Sequence, residues 1–149
     1  MNQLTTADYE TDFTIWVDEQ VAILRARKFD ELDLPNVVVE LETIASFQMY
    51  ELESRVGMLL LHLLKCQFQP ERRSGNWVGT VIEQRHRIVR RLDHSPSVKR
   101  LLPEIVEVEY PVAVKRASAE TGLAKEVFPA ENPYTLAQLL DPDFIPGAP

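Results

Sequence analysis

The sequence predicts an all-α protein, a bundle of four to five helices around one long central helix, with a Pro-rich C-terminal strap. Three observations support this prediction. Apolar residues recur every three or four positions along most of the chain, which is the spacing of amphipathic helices. Residues 34–67 contain no helix breaker beyond a first-turn proline and a tolerable Gly57. Five of the ten prolines follow residue 128.

Length and charge set the broad class. The 149 residues, 45% hydrophobic and 26% charged, are typical of one folded domain, and we expect a single domain over residues 1–149 with its strap at 127–149. The net charge of −7 is uneven: −8 in residues 1–64, +6 in 65–100 and −5 in 101–149. The overall acidity argues against generic nucleic-acid binding, whereas the basic middle could face an acidic partner.

The chain offers no targeting or membrane signal. Its start, MNQLTTADYETDF, is polar and acidic, and the longest apolar run, Met58–Leu64, is far shorter than the roughly 20 residues of a membrane span. A lone Cys66 excludes an internal disulfide and fits a reducing compartment. We therefore expect a cytoplasmic protein that does not enter the membrane.

The first helix should begin between Asp8 and Asp12 and end near Arg27. Its core-facing stripe comprises Phe13, Trp16, Val17, Gln20 and Leu24. Asp33 and Pro35 form a start signal for the second helix.

The second helix, from about Leu34 to Gln67, is expected to organise the fold. One continuous stripe follows its length through Leu41, Ala45, Gln48, Leu52, Val56, Leu59 and Leu63. A bend near Ser46 that splits it into two helices remains open. Residues 68–76 have the composition of a loop.

Two further helices and the strap follow. The stripe of the third helix contains Trp77, Val81, Ile88 and Leu92, and also Arg85. Ser95 and Pro96 start the fourth, Pro103 and Pro111 should kink or divide it, and Gly122 should end it. In the strap we expect a short helix over Thr135–Leu140. The strap should contact the bundle through Val127, Phe128, Tyr134, Leu139, Leu140, Phe144 and Ile145.

One candidate polar or anion-binding cluster combines His62, Lys65, Arg73 and Arg85. His62 and Cys66 share one helix face and could hold a metal ion, but two ligands do not complete a zinc site. We therefore expect no metal and no cofactor. A buried, hydrogen-bonded His62 is the favoured interpretation.

Arg85 must find a carboxylate or backbone acceptors, because a guanidinium on an apolar stripe cannot stay unpaired. The candidate carboxylates are Glu40, Glu42, Glu51 and Glu53 on the long helix. An internal ion pair is favoured over an anion-binding role for Arg85.

A second candidate site is a basic surface within residues 72–100. Its members are Arg72, His86, Arg87, Arg90, Arg91, Lys99 and Arg100. Such a surface could bind phosphates. The favoured interpretation, however, is a solvated helix face whose charge is balanced by acidic residues of the first two helices. Phe68 and Trp77 are the only nearby rings for base stacking.

The ordered segments HLLKCQFQPERRSGNW, the arginine of EQR, and SPSV resemble a bacterial family catalogued as domain of unknown function 29, common in cyanobacteria. The likeness extends to YETDFTIW, FDELDL, AETGL and NPYTLAQLLDPDFIP. His62, Lys65, Arg73 and Arg85 fall on the family pattern, whereas Cys66 replaces a usual aromatic and Val98 a usual leucine. The resemblance implies an all-helical fold and supplies no activity.

These observations favour a noncatalytic helical interaction or regulatory module that acts through protein contacts, with a homo-oligomer left open. The alternative is a nucleic-acid-associated regulator, antitoxin-like or RNA-binding, that uses residues 72–100. A weaker third hypothesis is an enzyme acting on an anionic small molecule at the His62 cluster. An exposed apolar patch would favour the first of these hypotheses, and an exposed arginine face the second.

Overall fold

The fold of this chain is described by a computed structural model that covers residues 7–148, with side chains from Tyr9 onward. Seven helices occur in this range: α1 Ala7–Thr11, α2 Phe13–Arg25, α3 Leu34–Phe68, α4 Gly75–His94, α5 Pro96–Lys99, α6 Leu102–Thr121 and α7 Leu136–Leu140. No β-strand occurs among the described residues. The predicted all-α class with one long central helix is confirmed, and α3 is not split near Ser46. The predictions made from residues 1–6 and from Pro149 lie outside the described residues.

The chain divides into two compact units, Met1–Gln48 and Met49–Pro149. Each is described by itself below. A single domain over residues 1–149 stays a prediction.

In the N-terminal unit, α2 is fastened to the start of α3 through Asp33. The indole Nε1 of Trp16 donates to the Asp33 carboxylate at 3.0 Å, and the Asp33 backbone N–H donates to Gln20 Oε1 at 2.8 Å. These bonds select which face of α2 is buried, namely Trp16, Gln20 and Ile23. The predicted stripe is therefore only partly right, since Phe13 and Leu24 are exposed.

The predicted continuous stripe of α3 is buried only in its C-terminal part. From Leu52 to Leu64 the helix supplies seven of the twenty buried core residues described in the second unit, and Leu60, Leu61 and Leu64 are fully buried there. In the N-terminal unit, by contrast, Leu41 and Ala45 are exposed. The difference has a physical basis: an apolar pattern shows which residues would be stabilised by burial, but burial also requires another segment to pack on that face.

The core of the C-terminal unit is formed by α3, α4, α6 and the strap. Val81, Ile88 and Leu92 of α4 are buried as predicted. From α6 come Leu102, Ile105, Val106, Tyr110, Ala113, Val114 and Ala117. Gly122 ends α6 in the left-handed conformation, φ 75°, which glycine adopts without the strain of a Cβ. The predicted fourth helix is divided next to Pro103, into α5 and α6, whereas α6 continues undivided through Pro111.

The strap packs as predicted with one exception. Thr135 caps α7 by a reciprocal capping box with Gln138, close to the predicted helix start. Phe128, Tyr134 and Leu139 are buried against the core, and Leu140, Phe144 and Ile145 are partly buried there. Val127 does not contribute, since its side chain is exposed. No helix among the described residues has the length and apolar character to cross a lipid bilayer.

Candidate functional site

His62 lies on α3 in the C-terminal unit, with its ring buried. Its Nδ1 is 2.9 Å from the Met58 carbonyl oxygen one turn earlier. A carbonyl oxygen only accepts, so Nδ1 carries the proton and Nε2 is left as an acceptor. Burial lowers the pKa of the imidazole below its ordinary value, and the Met58 hydrogen bond opposes this shift. The Nδ1 of His62 is thus satisfied within its own helix, and the lowered pKa favours the neutral ring.

Lys65 lies one turn beyond His62 and is only 7% exposed. Its Nζ donates to Glu120 Oε2 at 2.7 Å and sits 4.5 Å from the centroid of the Trp77 ring. The hydrogen bond from Lys65 holds the pKa of Glu120 below its ordinary value. One ammonium therefore joins α3 to α4 and to the end of α6.

Glu120 was not among the predicted site residues, but the sequence carries a weak signal for it. A carboxylate in the last turn of a helix faces the negative end of the macrodipole. Such a placement is unfavourable unless the carboxylate pairs with a cation, and Lys65 is that cation.

Arg73 fastens the strap. Its Nη2 donates to the Cys66 carbonyl oxygen at 2.8 Å and to the Pro146 carbonyl oxygen at 2.5 Å. Cys66 itself is fully buried, and this burial raises the pKa of its thiol while the charges of Arg73 and Lys65 act against the rise. The thiol is thus a buried small side chain.

Arg85 is 2% exposed, and its partners differ from those expected. Its Nε donates to the Leu139 carbonyl oxygen at 2.9 Å, and its Nη2 to that of Gln138 at 3.4 Å. These carbonyls belong to the last turn of α7, whose helical acceptors need outside donors. Burial lowers the pKa of Arg85, and the charges of Asp141 and Asp143 act against this shift.

The acids of the long helix named as candidates for Arg85 were therefore the wrong partners. Glu51 instead pairs with Arg55, one turn along the same helix. Glu40 accepts a hydrogen bond from Tyr9 in the N-terminal unit. The strap acceptors were missed because nothing in the local pattern tells which carbonyls a distant segment will present.

The structure brings three of the four cluster residues to one region. His62 and Lys65 are one turn apart on α3. Arg73 is close enough to Cys66, the neighbour of Lys65, for its charge to act on the Cys66 thiol. Arg85 makes its hydrogen bonds at Gln138 and Leu139, on another part of the strap. The hydrogen bonds of Lys65, Arg73 and Arg85 thus connect the helices and the strap of this unit. Within residues 9–148, no three potential metal ligands cluster together.

Most of the predicted basic surface is exposed. The exposed members are Arg72, His86, Arg87, Arg90, Lys99 and Arg100. Helical spacing places His86, Arg87 and Arg90 on the side of α4 opposite its buried stripe. Arg87 also pairs with Glu83 at 3.1 Å, and Arg91 is half-buried with its Nη1 3.5 Å from Ser95 Oγ. Cations near the C-terminal end of α4 are also favourable because that end carries the negative pole of the helix macrodipole.

An exposed apolar surface in the N-terminal unit was not predicted. Four of its members lie along one side of α3, Leu34, Val38, Leu41 and Ile44, a set we call the N-terminal apolar face; Val39 and Phe47 are exposed on other sides of the helix. Leu34 is 58% exposed, Leu41 62% and Phe47 65%. On α2 and the following turn, Phe13, Leu24 and Phe29 are exposed as well. Of the residues on α3, Leu41 belonged to the predicted stripe and was interpreted as core; the others were not assigned to a face.

The fold and these contacts define a small all-helical protein whose buried polar residues fasten its own elements. The chain belongs to the family described as Domain of unknown function DUF29, whose model matches residues 9–145. The resemblance seen in the sequence is thereby confirmed. No curated protein and no solved structure shows significant similarity to the chain.

Proposed function

We propose that this protein is a noncatalytic helical interaction module that binds a protein partner through its N-terminal apolar face. One observation carries the proposal: four large apolar side chains along one side of α3, those of Leu34, Val38, Leu41 and Ile44, are exposed. Contiguous exposed apolar surface on a folded protein marks a site of association, because its hydration is unfavourable.

The spacing of this surface fits helix packing. Leu34, Val38, Leu41 and Ala45 are separated by four, three and four residues, the alternation of the core positions of a heptad. Val37 and Ile44 flank this line and widen it. The helix segment is thus built to receive another helix along its length.

The polar cluster supports a noncatalytic role. Lys65 is engaged by Glu120 and Trp77, and Arg73 by two backbone carbonyls. Arg85 binds the end of α7. Residues that hold the fold in this way are poorly placed to act on an anionic substrate, because turnover would require them to release their partners.

Site-specific photo-cross-linking in the native host tests the proposal. A benzophenone amino acid placed at Val38 should yield one defined cross-linked protein species. The matched control places it at Ile82, an apolar position on α4 that is 55% exposed, against 42% for Val38. If Val38 and Leu41 both give no adduct in folded protein, the proposed function is wrong.

The second candidate function is nucleic-acid-associated regulation through the basic surface. The supporting observation is the outward row of His86, Arg87 and Arg90 on α4. Binding to a fluorescent pool of DNA and RNA should then be salt-sensitive and lost in Arg87→Glu/Arg90→Glu. Absence of binding at low salt by folded protein would exclude this candidate.

We also propose that the protein acts in the bacterial cytoplasm, in cyanobacteria among other hosts. The single reduced Cys66, fully buried, supports a reducing compartment. Cell fractionation of the native host tests the location, and recovery in the periplasmic fraction would contradict it.

A further inference from the structure

We infer that the partner presents a basic, amphipathic helix to the N-terminal apolar face. This inference rests on the proposed function and adds the chemistry of its partner. Its two supports are the dimensions of the face and the charge of the unit that carries it.

The face has the dimensions of one helix contact. From Leu34 to Ala45 the stripe runs about 17 Å along α3, roughly three helical turns. Its heptad spacing matches the apolar positions of a second helix packed along it. A partner segment of about 12 helical residues would cover its length.

The net charge of this unit favours a partner helix of opposite charge. Residues 1–48 contain 10 acidic and 3 basic side chains, a net charge of −7. Residues 49–149 contain 13 of each and are neutral. The whole net charge of the protein therefore belongs to the unit that exposes the apolar face.

Among the acids of this unit whose side chains the structure describes, few are paired with a cation of the unit. Among its described side chains, the ion pair seen is Lys28–Glu31, at 3.4 Å. Asp33 and Glu40 instead accept hydrogen bonds from neutral donors. Glu42, on α3 beside the stripe, is exposed, and Glu31 is exposed as well, although its surface ion pair with Lys28 would have to be exchanged for one with the partner. Lysines and arginines at the flanking positions of a partner helix would meet these carboxylates.

The same charge disfavours a second copy of this chain as the occupant. Two such faces in contact would bring together two units of −7 each, and like-charge juxtaposition opposes association. It also disfavours nucleic acid at this face, since phosphates carry the same sign.

The test uses the full chain and synthetic peptides of about 18 residues. One peptide carries leucine on one helix face and lysine on the other, and a second replaces every lysine with glutamate. Fluorescence anisotropy gives the two dissociation constants at low and moderate salt, and light scattering gives the mass of the unliganded protein. We expect a monomer that binds the Leu/Lys peptide at least tenfold more tightly than the Leu/Glu peptide.

Two variants and a control locate the binding. Leu41→Ser removes a mostly exposed apolar side chain, so folding should be retained while Leu/Lys binding weakens about tenfold. Glu31→Gln/Glu42→Gln should weaken binding at low salt and should reduce its salt dependence. The matched control, Glu104→Gln/Glu107→Gln, changes two exposed acids of α6 and should leave binding unchanged.

The other outcomes overturn the inference and leave the proposed function separately testable. Equal binding of both peptides would remove the charge requirement while preserving apolar docking. A homodimer would replace the basic helix by a second copy. Binding unaffected by Leu41→Ser, or no binding at all, would also overturn the inference, and the photo-cross-linking at Val38 would then decide the proposed function by itself.

Discussion

The Nε of Arg85 donates a hydrogen bond to the carbonyl oxygen of Leu139 at 2.9 Å, inside the C-terminal unit. A fully enclosed guanidinium on α4 thereby holds the last turn of α7, a helix of five residues. So short a helix is not stable by itself, and it depends on tertiary contacts for its ends and its apolar side. The strap is thus held by a residue that the sequence had placed in the candidate anion-binding cluster.

Arg85→Met should detach the end of α7 and lower the free energy of unfolding by about 3 kcal/mol, because buried carbonyls lose a charged donor. Urea unfolding gives the stability change, and hydrogen exchange of residues 136–145 should show local opening. Arg85→Lys is the matched control, which keeps the charge without the Nε and Nη geometry and should restore little. Unchanged exchange in the strap of Arg85→Met would contradict this role.

The Lys65–Glu120 pair should contribute stability that disappears in acid. The pKa of Glu120 is lowered in the folded state, so its contribution is complete above the unfolded value of 4.5 and is lost as the pH falls through the folded value. Glu120→Gln should therefore be less stable than wild type near neutral pH and equal to it in strong acid. Since the carboxylate is 40% exposed, we expect a difference of only about 1 kcal/mol.

The measurement is the unfolding free energy of both proteins across this pH range. Glu107→Gln, which alters an exposed acid of the same helix, is the control and should follow wild type. A wild-type advantage that persists below the folded pKa of Glu120 would show that the ion pair is not its source.

His62 should titrate below its ordinary pKa of 6.5, because burial disfavours the imidazolium. The unfolded chain then binds more protons between the folded pKa and 6.5, so His62 destabilises the fold as the pH falls through that window. NMR titration of the ring should give the lowered pKa and a protonated Nδ1. His62→Gln should reduce the slope of stability against pH there, whereas a pKa above 6.5 would disprove the buried neutral state.

Cys66 should be unreactive in the folded protein. Its side chain is fully buried and its thiol pKa is raised, so little thiolate is accessible. Ellman's reagent should label the native protein only at the rate of its opening and should label the urea-unfolded protein at once. Immediate labelling of native protein would contradict the burial of this side chain.

The sequence determined the helices, because helix formation depends on local spacing and caps. The break-free run of α3, the stop at Gly122 and the helix after Thr135 all follow from residues close in the chain. Local signals were weaker for α6, where Pro111 was expected to divide a helix that continues through it.

Tertiary structure alone decided which faces meet and which polar groups pair. The stripe from Leu41 to Leu63 is one pattern in the sequence, yet its first part is exposed and its last part is core. The partners of Lys65 and Arg85 lie more than fifty residues away, at Glu120 and Leu139. Amphipathic spacing predicts that an apolar helix face will be buried and that a charge on it will need a partner. Which segment packs on that face, and which group pairs with that charge, depends on residues far away in the chain.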